Sequence, residues 1–468
     1  MSDNQGKGQF NSNFGFLMAT VGSAIGLGNL WGFPYKMGVG GGFAFLLIYL
    51  ILAFLVGYPL ILGEMALGRK TRKGAIEAYK MADKRFTFNG VIETLVPFFL
   101  ICFYCTFGGY VFKYLVANVG DLLHAGFGIG GESSGAYFEN FVKAGWEPII
   151  YGWIFLGLTL YIVARGVSGG IEKFSSWAMP ALFIMLVIIV IRSCTLPGAA
   201  NGLAFMFKPD FSVFKGKGWL NVLGLAGGQM FFSLSLASGC IIAYGSYLDR
   251  KENLEKNAKI VPIADTTAAL LAGLAVMPAV FAYGLEPAGG PGLLFVTMQE
   301  VFQHMGVSGA IFGSLFYLLV AFAALTSSIG MLEGGVSAML DAAESKGHKA
   351  DEKSRIKMTF IMGAIAFLGS WLISADGLGM TGMWHPLGQG TWLDVFDLFA
   401  EGILMPFGGL IMAILLGWFI PDYIDDEVEK GSPYKGKKFI KFCLRWISPI
   451  FLAFIVVIQL NAFFHFFG

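Results

Sequence analysis

The segment GSAIGLGN, Gly22 to Asn29, sets glycines at 22, 26 and 28 in the middle of a run that otherwise reads as one long apolar helix. Each glycine costs up to about 1 kcal/mol against alanine in a helix, so three together invite an unwound stretch. A second interruption, SLSLASG from Ser233 to Gly239, sits near the middle of another such run. Unwound backbone at membrane depth is tolerated only where it is buried in protein or lines a cavity. The blander reading is close packing of small residues between helices. Composition alone leaves both open.

The rest of the chain places these breaks in a bilayer. Of 468 residues, 56% are hydrophobic and 13% charged, and 65 are glycine. A soluble domain carries roughly 25% charged residues, so too little polar material remains here to cover a water-facing surface. A net charge of +1 recruits no nucleic acid. The five cysteines (Cys102, Cys105, Cys194, Cys240, Cys443) lie in or beside apolar runs and read as buried free thiols. The polar N-terminus leads into a long apolar run without a small-residue cleavage site, so a removed signal peptide is not expected.

A span needs about 20 mostly apolar residues. Runs that qualify fall at 14–38, 42–68, 91–119, 148–165, 174–194, 219–247, 260–285, 308–340, 357–374, 391–420 and 443–466, eleven in all. The class is an all-α membrane protein. The breaks fall in the first and sixth spans, which suggests a five-plus-five inverted repeat with a binding site between its halves. One transmembrane domain, 1–468, would then hold a first repeat at 14–194, a second at 219–420 and an extra helix at 443–466. Residues 120–147 read as a long loop, and 286–307 as a loop whose apolar part dips back as a re-entrant or capping helix. With a cytoplasmic N-terminus, 25 of the 32 Lys and Arg fall on the inner side; Lys36, Lys113, Lys143, Arg192, Lys208, Lys215 and Lys217 do not. That bias orients the chain in an inner (plasma) membrane, and eleven spans put the C-terminus outside.

If the helices break, chemistry follows. A half-helix starting near Leu27 aims free N–H groups and a positive dipole at the midplane, suiting a carboxylate. Carbonyls released at Gly22–Ala24 and Ser233–Leu236 suit an ammonium and hard cations. One cavity offering both fits a zwitterion. Thr326-Ser327-Ser328 adds three hydroxyls within one turn of an apolar helix, although such hydroxyls more often bond their own i−4 carbonyl.

The string GSAIGLGNLWGFPY (22–35) resembles the first-helix signature of the neurotransmitter:sodium symporter family. GGGFAFLLIYLILAFLVGYPLILGEMALGR (40–69), GQMFFSLSLASG (228–239) and ALTSSIGMLE (324–333) continue the likeness in order through nearly the whole chain. The missing twelfth helix is similar to the bacterial branch. The resemblance implies a sodium-coupled amino acid importer working by alternating access. It implies one sodium at Ala24, Asn29, Ser233 and Asp265, and a second at Gly22, Ile25, Ala323, Thr326 and Ser327. The implied substrate pocket takes Ser23, Ala24, Leu27 and Gly28 from the first span and Leu100 and Tyr104 from the third. Phe232, Ser233, Ser235 and Ser238 of the sixth and Ser327 and Met331 of the eighth complete it. Tyr104 is expected to hold the carboxylate and Phe232 to close over the substrate. Lys7 and Asp341 are the expected inner ion pair, with Phe10 and Tyr247 nearby.

Four departures from the family pattern carry information. Amine carriers have aspartate where Gly26 stands, so an amino acid is expected over an amine. Asp265 replaces an asparagine found in chloride-using members, whose chloride would lie near Tyr49, Gln229 and Ser233; no chloride requirement is expected, and the carboxylate could take up a proton once sodium leaves. Gly32 stands where an arginine usually pairs with an acid matching Asp397. Either Lys36, one turn on, substitutes, or Asp397 faces the vestibule unpaired and favours cationic side chains. Ser238 replaces a bulkier residue, which with Leu100 and Met331 leaves a roomy pocket. The rivals are an amine carrier using Asp397 or Asp265, and a substrate-gated channel or sensor on the same scaffold. An enzyme is not expected, because the histidines lie in loops or at helix ends.

Overall fold

The computed structural model describes residues 8–286 and 290–464, and among these every regular element is helical. Nine stretches are long and apolar enough to cross a membrane: Phe43–Thr71, Lys84–Leu122, Trp146–Ala164, Val167–Cys194, Leu254–Ala282, Ser308–Glu344, Glu352–Asp376, Trp392–Phe419 and Lys437–Asn461. They coincide with the second to fifth and seventh to eleventh apolar runs of the sequence. The first run is a bent pair, Asn13–Ala24 and Gly28–Val39, meeting at 46°. The sixth is two helices, Gly218–Ser233 and Cys240–Tyr247, separated by residues 234–239.

Helix ends extend past the apolar runs. The last helix begins at Lys437 rather than near 443, and the ninth at Glu352 rather than near 357. Charged residues end a hydropathy run but not a helix, because their side chains reach toward water while the backbone stays hydrogen-bonded. Asp351, as N-cap, accepts from the Ser354 amide and fixes one such start. In the first span, Ser12 caps the helix by accepting from Gly15, while Glu172 accepts from the Asn11 and Ser12 amides.

The stretch expected to dip back does form a short helical unit, Leu293–Thr297 followed by Met298–His304. Phe295 within it stacks on Phe138 at 5.7 Å and meets Tyr110 and Tyr114 at 5.7 and 5.1 Å. Phe138 belongs to a helix, Ser134–Val142, inside the long loop after the third span. Loop and re-entrant unit therefore share one aromatic layer over the third span. All five cysteines are free, as expected.

Candidate functional site

Both breaks are held open by specific partners. After Ala24 the helix stops: Ile25 takes an extended ψ of 103°. The Gly26 amide donates to Asn29 Oδ1 at 3.0 Å and the Leu27 amide to Tyr104 Oη at 2.8 Å. With those amides diverted, no hydrogen-bond donor among the described residues reaches the carbonyls of Gly22, Ala24 or Ile25. In the sixth span, Ser235, Ala237 and Gly239 all have positive φ (51°, 52° and 68°). For the two non-glycines that costs roughly 1–2 kcal/mol each. Compensation comes from Glu64 of the second span, which accepts the Ala237 amide at 2.7 Å, and from Ser235, whose hydroxyl donates to Ser23 O at 3.0 Å.

The breaks face each other and the eighth span. Ser327 Oγ also donates to Ser23 O, at 3.0 Å, so one carbonyl of the first span gathers hydroxyls from the sixth and eighth. Thr326 lies against Gly22, where a Cβ would stand 3.0 Å from the threonine Cβ. Its hydroxyl donates to Phe322 O and Ala323 O, the local bond anticipated for such residues. Gly22, Ala323, Thr326 and Ser327 are thus brought together, and the Gly22 carbonyl is unclaimed. Carbonyl and hydroxyl oxygens suit a hard monovalent cation, and the Met179 sulfur stands beside them, 3.1 Å from where a Gly22 Cβ would lie.

Of the second expected group, Asn29, Ser233 and Asp265 come together. Asp265 Oδ1 accepts from Asn29 Nδ2 at 2.7 Å and Ser233 Oγ at 3.0 Å, and Oδ2 accepts from Tyr49 Oη at 2.9 Å. Asp265 is fully buried and faces the bundle interior instead of snorkelling to an end. Tyr49 and Ser233, two of the three groups the family would turn on a chloride, are here turned on a built-in carboxylate. The third, Gln229, donates its Nε2 to Gly28 O at 2.8 Å.

The residues expected to line the substrate pocket lie in the interior of the bundle. Ser23, Ala24, Leu27, Leu100, Tyr104, Phe232, Ser233, Ser235, Ser238, Ser327 and Met331 are all buried. Ser23 Oγ is buried without a hydrogen-bond partner, a polar atom left for something else to satisfy. Ser238 Oγ is taken by Ser235 O at 2.6 Å. The Phe232 ring lies over Gly28, where a Cβ would stand 2.9 Å from it, and meets Tyr104 at 6.3 Å between centroids. A Cβ on Gly26 would stand 2.2 Å from Tyr104 Oη, so no side chain fits there without moving the tyrosine.

The two ends of the pocket differ. Toward the N-terminus, Phe10 packs edge-on against Phe16, Tyr244 and Tyr247, with centroids 5.5, 5.8 and 6.3 Å away. Tyr247 Oη donates to Glu333 Oε1 at 2.7 Å, and Arg355 pairs with the same glutamate. Lys7 lies outside the described residues; Asp341 is buried, accepts the Gly74 amide at 2.5 Å and meets Lys73 at 3.4 Å. At the other end a cavity of about 250 Å³ is lined by Trp31, Gly32, Lys36, Phe232, Asp397 and Glu401 among others. Lys36 pairs with Glu401 and not with Asp397, so the first expected alternative fails; Asp397 lines the same cavity and forms no ion pair among the described residues. Glu64, Glu333, Arg355 and Glu401 escaped the sequence reading. For Glu64, Glu333 and Glu401 the one signal was an ionisable residue inside an apolar run, which marks function or an internal partner by default; Arg355, in a charged stretch, gave none.

Two helices opened at one depth, with free carbonyls facing hydroxyls of a third, define a secondary transporter of small solutes and ions. The model described as the Sodium:neurotransmitter symporter family matches residues 7–124 and 145–466, and the chain belongs to that family. It is similar to an uncharacterized sodium-dependent transporter, YhdH, of Bacillus subtilis (36% identical over 463 residues, 96% of each chain). It is also similar to an uncharacterized sodium-dependent transporter of Haemophilus influenzae (31% identical, 98% and 99% covered). Among solved structures it matches MhsT in complex with L-phenylalanine, with a TM-score of 0.87, 33% identity, and 97% and 100% coverage. The protein is a multi-pass, sodium-dependent membrane transporter with the LeuT fold, not an enzyme.

Proposed function

We propose that the protein is a symporter that imports an amino acid together with sodium and needs no chloride. The observation that carries this reading is the pairing of opposite demands in one buried place. Carbonyls of Gly22, Ala24 and Ile25 and the orphan hydroxyl of Ser23 call for cations and donors, while the Tyr104 hydroxyl, whose oxygen accepts the Leu27 amide, has its own O–H to donate to an anion. A zwitterion with accompanying sodium meets both. The likeness to a protein solved with L-phenylalanine supports an amino acid, and large apolar ones are the first to try.

Sodium would bind at Ala24, Asn29, Ser233 and Asp265 beside the substrate, and at Gly22, Ile25, Ala323, Thr326 and Ser327. Two ions crossing a 100 mV potential release about 4.6 kcal/mol, enough for roughly thousandfold accumulation. With the N-terminus cytoplasmic and the C-terminus outside in an inner membrane, the Lys36 end is the outer vestibule and the Phe10 cluster the inner seal. Transport would rock the first, second, sixth and seventh spans, as one inverted-repeat bundle, against the third, fourth, eighth and ninth. Asp265, bonded by Tyr49 and Ser233, supplies the negative charge that chloride supplies elsewhere.

An amine carrier would need Asp397 or Asp265 to face the ammonium, because residue 26 is a glycine. A channel or sensor on this scaffold separates from a symporter by stoichiometry. In proteoliposomes a symporter moves sodium and substrate in a fixed ratio; uptake without a fixed ratio, or binding without uptake, contradicts this reading.

A further inference from the structure

Beside the break in the sixth span, Glu64 has an acidic neighbour, Glu93 of the third span. Glu93, Glu64, Asn89 and Tyr79 are all fully buried. Glu93 Oε1 accepts from Tyr79 Oη at 2.6 Å and from Asn89 Nδ2, one helical turn away, at 3.2 Å. The same Nδ2 donates to Gly408 O of the tenth span at 3.1 Å. A backbone carbonyl only accepts, so the amide is fixed with its nitrogen on that side. Its oxygen, Asn89 Oδ1, is then buried without a donor, and so are Glu93 Oε2 and Glu64 Oε2. Among the described residues no lysine or arginine answers either carboxyl, and the charge acting on Glu93 is that of Glu64. Cys240 of the sixth span lies near Glu64; Glu333 of the eighth, near Cys240, is already paired with Arg355.

Two neighbouring carboxylates buried without a cation do not both keep their charge. One proton removes the conflict. Placed on Glu93 Oε2, it gives Asn89 Oδ1 the donor it lacks, and an acid and an amide joined by one hydrogen bond become joined by two. Glu64 then keeps its charge for the Ala237 amide, which it accepts at 2.7 Å. The surroundings are tightly packed: a Cβ on Gly408 would stand 3.3 Å from Ala237 Cβ and 3.4 Å from Glu93 Cγ. A proton needs no cavity, whereas a metal ion needs a shell of oxygens around it. We propose that Glu93 is a proton-binding residue, whose O–H donates to Asn89 Oδ1 while Glu64 stays ionised. Loss of that proton sets a second negative charge beside Glu64 and loosens its hold on the Ala237 amide, so the left-handed segment of the sixth span is tied to proton occupancy. None of this rests on the symporter reading.

The test is infrared difference spectroscopy on the purified full chain in sodium at neutral pH, comparing wild type with Glu93→Gln, Glu64→Gln and Asn89→Leu. A protonated carboxyl group shows a carbonyl band above the carboxylate bands that shifts in heavy water. One such band, of a single group's intensity, is expected in wild type and should be lost in Glu93→Gln. Glutamine keeps the size of the side chain and offers its own N–H to Asn89 Oδ1, so the variant is expected to fold. Asn89→Leu should move the band without erasing it, because it removes both hydrogen bonds but not the proton, and it serves if Glu93→Gln does not fold. Glu64→Gln should leave the band in place. No band in the wild type minus Glu93→Gln difference, a band unmoved by Asn89→Leu, or one that Glu64→Gln erases would each overturn the proposal.

Discussion

Gly26 and Tyr104 compete for one space. The tyrosine hydroxyl takes the Leu27 amide and fills the space a side chain at 26 would need. Gly26→Asp is therefore expected to abolish amino acid binding without creating amine binding, read by thermal stabilisation with a panel of both. Thr326→Val keeps the shape of its neighbour and removes an oxygen. It should weaken sodium affinity about tenfold or more, on the scale of a lost buried polar interaction, while leaving substrate affinity at saturating sodium much less changed. Asp265→Asn removes the fixed charge under Tyr49 and Ser233. Uptake by that variant is expected to become chloride-dependent, and equal rates in chloride and gluconate would refute the assignment. Most of these residues were legible because ordered motifs carried them. Glu64 and Glu333 lie within the same motifs and were passed over, since their roles exist only through partners 173 and 22 residues away, the Ala237 amide and Arg355.

At the scale of elements, the broken helices could be read from glycine clustering, but not their geometry. Ser235 and Ala237 turn left-handed although neither is a glycine, because Glu64 and the Ser23 carbonyl reward that conformation from other helices. Propensity speaks for the chain alone, and tertiary hydrogen bonds overrule it. Helix ends were misplaced for a related reason: hydropathy reports where apolar side chains stop, whereas the helix continues until its caps. The second half of the sixth span, Cys240–Tyr247, sits directly on the second span. A Cβ on Gly68 would stand 2.0 Å from the Ile242 carbonyl oxygen, a backbone atom that cannot swing aside. Gly68→Val should force these helices apart and lower the midpoint of thermal unfolding in detergent by several degrees or prevent expression. An unchanged midpoint would mean the contact is not made.

Across the whole molecule, the broken spans are flanked at their two ends by groups of different kinds. The Phe10 cluster is aromatic and backed by Glu333 and Arg355, whereas the other end is a polar cavity crossed by Lys36 and Glu401. Removing the plug should bias the cycle toward opening on the Phe10 side. Cys240, fully buried at the start of the sixth span's inner half, reports on that path. In a chain whose other cysteines are alanine, Phe10→Ala is expected to raise maleimide labelling of Cys240 severalfold, and sodium with substrate to suppress it. Labelling insensitive to either would place the seal elsewhere. The central claim is that backbone opened in two spans is completed by sodium and an amino acid together. Uptake of radiolabelled L-phenylalanine and other amino acids into proteoliposomes, with inward sodium, potassium or no gradient and with chloride exchanged for gluconate, tests it most directly. The account predicts concentrative uptake of at least one amino acid that requires sodium, is not supported by potassium and is unaffected by chloride removal. Uptake that persists without sodium, or none for any of the twenty, would contradict it.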